Sequence, residues 1–102
     1  MSDYLSIKVD FKTRIMKKCR SHYPLATAVS EEEFGCDIFA EPLLNMASND
    51  PLKIAAFENA ELLSQAITEL TDVGLITSQK TAMTLWSVQL TEVGYIQSEN
   101  VT

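Results

Sequence analysis

The chain has 102 residues, 46% of them hydrophobic, and a formal charge of −6, which suffices for one hydrophobic core and is too little for two. No run approaches the roughly 20 apolar residues needed to span a bilayer, and Met1-Ser2-Asp3-Tyr4 lacks the basic stretch and apolar run of a secretory signal, so the expected setting is cytoplasmic with no membrane partner. The charge is uneven: Lys8, Lys12, Arg14, Lys17, Lys18 and Arg20 crowd one short stretch, while residues 21–102 carry only Lys53 and Lys80 against twelve acids.

Residues 5–11 alternate Leu5, Ile7, Val9 and Phe11 with Ser6, Lys8 and Asp10, the period of a half-buried strand. Residues 12–22 place Ile15, Met16, Cys19 and then Tyr23 at helical spacing, with the basic side chains largely on the other side. A single helix from about residue 3 to 22 is the alternative reading. Tyr23-Pro24 ends this segment, because the residue before a proline disfavours helical geometry, and residues 24–29 are the one candidate internal boundary.

Ser30 followed by Glu31, Glu32 and Glu33 fits a capping box. It predicts a mostly buried helix carrying Phe34, Ile38, Phe39, Leu43, Leu44 and Met46, kinked or restarted at Pro42. Asp50-Pro51 reads as an N-cap and first helical residue of a short helix to about Phe57. Asn59 can cap the next helix, whose Leu62, Leu63, Ala66, Ile67, Leu70 and Val73 follow the helical period until Gly74. Leu75-Ile76-Thr77 and Met83 to Leu90 predict a hairpin around a loop at 78–81, with Trp86, Val88 and Leu90 on one face. Thr91 caps a last short turn containing Val93, Tyr95 and Ile96, and residues 98–102 are expected to fray. The predicted class is α+β, mainly helical, as one compact domain with an N-terminal basic strand or helix segment over 1–23 and a core over 30–97.

Cys19 and Cys36 sit in unrelated contexts and read as reduced, partly buried thiols. A zinc site from Cys19, His22 and Cys36 lacks a fourth strong ligand and paired spacing, so no metal is expected. His22 is placed at a surface or helix end. One histidine, three glycines, no phosphate-cradling loop and no nucleophile elbow argue against an enzyme, and no cofactor is implied. Adjacent acids at 31–33 point to different sides of a helix, so capping explains them better than paired catalytic carboxylates do.

The stretch Leu63-Ser64-Gln65-Ala66-Ile67-Thr68-Glu69-Leu70-Thr71-Asp72-Val73-Gly74-Leu75-Ile76 resembles the recognition helix and first wing strand of winged-helix regulators, a bacterial or phage-type family. Leu90-Thr91-Glu92-Val93-Gly94 is similar to the segment that closes the wing in many bacterial members. Together they cover roughly residues 38–96 and imply a winged helix-turn-helix fold. In DNA-binding members the corresponding helix enters the major groove and the wing touches phosphate. The resemblance therefore points to Glu61, Ser64, Gln65, Thr68, Glu69 and Asp72 as the outward face of helix 60–73, with Ser64 and Gln65 placed to read base edges and Lys80 on the wing. That helix carries three acids and no base, whereas duplex affinity comes largely from Lys and Arg.

Two functional expectations follow. The favoured one is a non-enzymatic module that acts as a regulator or adaptor through a protein partner or self-association, using its acidic helix face or hairpin edge. One variant of it is a phage- or plasmid-encoded inhibitor that meets a nucleic-acid-binding machine with negative charge. The other expectation is a DNA-binding transcriptional regulator, dimeric, that holds duplex phosphates through Lys12, Arg14, Lys17, Lys18 and Arg20 together with helix 60–73.

Overall fold

The computed structural model describes residues 4–99, with side chains from Leu5 onward. Helix α1, Tyr4–His22, contains neither glycine nor proline. Ile7, Phe11, Ile15 and Cys19 recur every fourth residue on the face turned to the core, joined by Met16. The strand reading of residues 5–11 is therefore corrected to helix. Leu5 and Val9, which completed the alternation, lie on the outer side and are exposed. His22 stands exposed at the helix end, where its Nδ1 lies 3.0 Å from the Lys18 carbonyl oxygen.

After Pro24 the chain forms β1, Thr27–Ser30. The helix expected from Ser30 is absent. The Ser30 hydroxyl does accept the Glu33 amide at 3.1 Å, but this closes only a turn, and Gly35 leaves it at φ +71, outside the right-handed helical region. Phe34 and Cys36 point into the core from this turn, while Phe39 and Leu44 are exposed. Among the described residues, the only regular element between β1 and residue 50 is a 3₁₀ turn, Leu43–Asn45.

Helix α2, Pro51–Asp72, begins as expected, with the Asp50 carboxylate accepting the Leu52 amide at 2.9 Å. It then runs unbroken through Asn59, so the two helices expected at 51–57 and 60–73 are one. No glycine or proline interrupts residues 57–61, and Asn59 stays helical. Gly74 takes the left-handed exit at φ +81. Strands β2, Ile76–Ala82, and β3, Leu85–Leu90, form the hairpin, and the expected loop at 78–81 is strand, with a bulge between Lys80 and Ala82.

The sheet is antiparallel in the order β1-β3-β2, with Val29 opposite Trp86 and Ile76 opposite Leu90. Its inner face buries Val29, Ile76, Trp86, Val88 and Leu90 against α1 and the later half of α2. Helix α3, Glu92–Ser98, closes the fold. Thr91 caps it by accepting the Gly94 amide at 2.9 Å and donates to the Gly74 carbonyl at 2.7 Å, so one hydroxyl joins the end of α2 to the start of α3. Fraying was expected over 98–102, but Ser98 is helical and buried, while residues 100–102 lie outside the described residues. No helix among the described residues is long and apolar enough to cross a membrane.

Candidate functional site

The basic stretch lies along α1, and folding directs most of it back onto the chain. Lys8 and Lys12 reach the two carboxylate oxygens of Glu69 at 2.7 and 2.6 Å. This clamp holds the Glu69 carboxyl down at about 2, through hydrogen bonds from Lys12 and then Lys8. Lys18 binds Glu33 at 2.8 Å and the Ala28 carbonyl at 2.6 Å. Arg14 sits over the Phe34 ring at 4.2 Å, with Asp10 at 3.7 Å. Arg20 donates to the Tyr95 carbonyl at 2.9 Å and the Ser98 hydroxyl at 2.7 Å. Lys17 is exposed. The five basic candidates thus do not form one free cationic face.

The outward face expected on α2 is also altered. Glu61, Gln65, Thr68 and Asp72 are exposed and Ser64 is half-buried, but Glu69 is engaged by α1. Gln65 accepts from Lys8 at 3.5 Å. Lys80 lies on β2 with its ammonium 5.1 Å from the centre of the Trp86 ring. Trp86 itself is core. Burial pushes the Cys19 thiol up to about 11 and the Cys36 thiol up to about 12, the latter with help from the Glu31 and Asp37 carboxylates. Among the described residues no group of three or more His, Cys, Asp and Glu is placed to hold a metal.

The surface that sequence reasoning did not anticipate is the first half of α2. Ahead of Leu62 only Ala56 of this helix is buried, whereas Leu52 is 64% and Phe57 62% exposed. Two stripes at helical spacing face two clefts. Leu52, Ala55, Ala56 and Asn59 line one, against the segment 32–46, and Ile54, Phe57 and Glu58 line the other with Ile38. The signal was present in Leu52, Ile54, Ala55, Ala56 and Phe57, which are apolar all round the helix, as in a helix covered on every side. Here all of these except Ala56 are exposed.

The first cleft has a volume of about 440 Å³. Its floor is aliphatic, and Glu32, Asp37 and Glu41 stand among its lining residues, with no Lys, Arg or His. Asp37 accepts the Phe39 backbone amide at 2.9 Å and Glu41 accepts from the Asn45 side-chain Nδ2 at 3.0 Å, so both carboxylates are oriented by their own loop. Burial raises the Glu31 carboxyl, and the neighbouring Asp37 raises it further, against the lowering influence of Lys80. In comparisons with known proteins, the chain matches no family model, no curated protein and no solved structure.

Proposed function

We propose that the chain is a non-enzymatic binding module of winged-helix type that acts as a regulator or adaptor through protein-protein contacts. The observation that carries this reading is the contrast between two surfaces. The cations that duplex DNA would need are largely engaged with Glu69, Glu33, Phe34 and the end of α3. The apolar side chains Leu52, Ile54 and Phe57, with Phe39 and Leu44 nearby in sequence to their cleft partners, stand in solvent instead. Exposed apolar area of this kind is characteristic of protein interfaces.

The winged-helix part of the proposal is supported by a helix ending on Gly74, an antiparallel hairpin, and a closing turn tied back to Gly74 through Thr91. The tight turn between two helices is not part of it, since residues 51–72 form one helix.

Fluorescence anisotropy of labelled random-sequence duplex DNA at low salt tests the choice between protein and DNA. The expected result is no binding at micromolar protein even at low salt, where electrostatic attraction is strongest, because most of the cations are engaged and the helix carries acids. Micromolar binding that weakens steeply with salt would replace this proposal with the DNA-binding regulator and return attention to Arg14 and Lys17.

A further inference from the structure

The cleft between the first half of α2 and the segment 32–46 joins an aliphatic floor to a one-signed rim. Leu43, Met46, Leu52 and Ala55 supply the floor, and Glu32, Asp37 and Glu41 the charge. Its volume, about 440 Å³, falls within the roughly 300–1,000 Å³ typical of binding clefts. A free inorganic cation would gain nothing from the floor, and a purely apolar ligand would bring no counter-charge to the three carboxylates.

A second copy of the chain is a poor occupant. A two-fold contact through this cleft would set the same three carboxylates against their own copies, and the chain as a whole carries −6. Most of the chain's own cations are a poor source of counter-charge too: Lys8, Lys12 and Lys18 already bind Glu69 and Glu33, Arg14 sits over Phe34, Arg20 holds the end of α3 and Lys53 donates to the Met46 carbonyl. The complement must come from another protein that presents aliphatic side chains flanked by Lys or Arg. Helical spacing of the α2 stripe suits a helix laid into a groove.

We propose that this cleft docks a cationic amphipathic helix of a partner protein, its aliphatic side chains seated on Leu43, Met46, Leu52 and Ala55 and its basic flanks against Glu32, Asp37 and Glu41. This deepens the protein-binding reading and rests on it.

The test uses the full chain and a fluorescein-labelled peptide of about 15 residues, the length at which an isolated helix becomes viable. The peptide carries leucines at i, i+3, i+4 and i+7 and lysines elsewhere. Its twin replaces every lysine with glutamate. The lysine peptide is expected to bind at micromolar protein and the glutamate twin at least tenfold more weakly. Ala55→Arg, which projects a cation into the cleft from an exposed helical position, is expected to weaken the lysine peptide at least tenfold. Thr77→Arg, with the same charge change on the exposed outer side of β2, should leave it within about twofold. Glu41→Lys provides a second reading in a loop, should Ala55→Arg disturb α2.

Loss of binding in Ala55→Arg and Glu41→Lys but not in Thr77→Arg would support the proposal. Equal weakening by all three would overturn it in favour of non-specific attraction to an acidic protein. Equal affinity for both peptides, with the loss in Ala55→Arg retained, would remove the cationic partner and leave the protein-binding reading standing. No binding of either peptide up to about 1 mM, the limit of weak association, would remove the cleft as a site. The duplex titration decides the protein-binding reading separately.

Discussion

A Cβ built on Gly94 would lie 1.9 Å from the carbonyl oxygen of Leu75. Two chain segments that the sequence presents 19 positions apart therefore meet at backbone contact, and only a residue without a side chain fits between them. Gly94→Ala is expected to destabilise the fold by about 1–3 kcal/mol, the cost of forcing a methyl into a packed site. The thermal midpoint should drop by about 4–8 °C for each kcal/mol. Gly35→Ala meets open space and carries only the strain of its positive φ, about 1–2 kcal/mol. A midpoint for Gly94→Ala equal to the wild type would show that α3 can shift away from Leu75.

Glu69 predicts how the fold responds to acid. Its folded-state carboxyl sits at about 2 against a reference of 4.5. A carboxyl depressed in the folded state contributes stability that is present above the unfolded value and is lost as pH falls through the folded one. Urea midpoints of the wild type should therefore fall between pH 4.5 and 2, and Glu69→Gln should be less stable at neutral pH and flatter across that window. The difference should shrink at high salt, because Glu69 is open to solvent. An unchanged acid profile in Glu69→Gln would mean that the clamp contributes nothing to stability.

The thiols predict the opposite pH dependence. Cys19 and Cys36 are raised from 9.0 to about 11 and about 12, so the folded state holds their protons more tightly than the unfolded chain does. Their contribution is complete below pH 9 and is lost as pH rises through the folded values. At pH 8 neither thiolate forms in the native state, and iodoacetamide should label both residues only in denaturant. Rapid native labelling, read by intact mass, would show that one of these buried thiols opens to solvent.

The two halves of α2 should answer truncation differently. Leu63 is fully buried, so Leu63→Ala is expected to cost about 2–5 kcal/mol in chemical denaturation. Leu52→Ala removes a side chain that stands in solvent, and its effect should stay within about 0.5 kcal/mol. A large loss for Leu52→Ala would mean that the cleft is covered by the chain itself.

These elements also show where sequence reasoning succeeds. The Asp50-Pro51 start, the Gly74 exit, the buried Trp86-Val88-Leu90 face and the Thr91 cap are local signals, each completed within a few residues, and each is present. Residues 5–11 satisfied two periods at once, and seven residues are too few to separate them when Ile7 and Phe11 serve both. The capping bond at Ser30 formed, yet the helix did not follow, because a cap specifies a start and Gly35 opposes continuation. The destination of the basic residues was beyond reach: Lys8 and Glu69 are 61 positions apart, and nothing local in either residue names its partner.

Helix α2 is one continuous rod of 22 residues with packing concentrated at its later end. Amide exchange should therefore be graded along it. The backbone around Leu63 to Leu70 should open only when the whole domain unfolds, and that around Leu52 to Phe57 through fraying of far lower energy. A partner seated on the first half would erase that gradient and slow exchange there without altering the protected end. The rod would then hold a ligand at one end while remaining anchored at the other.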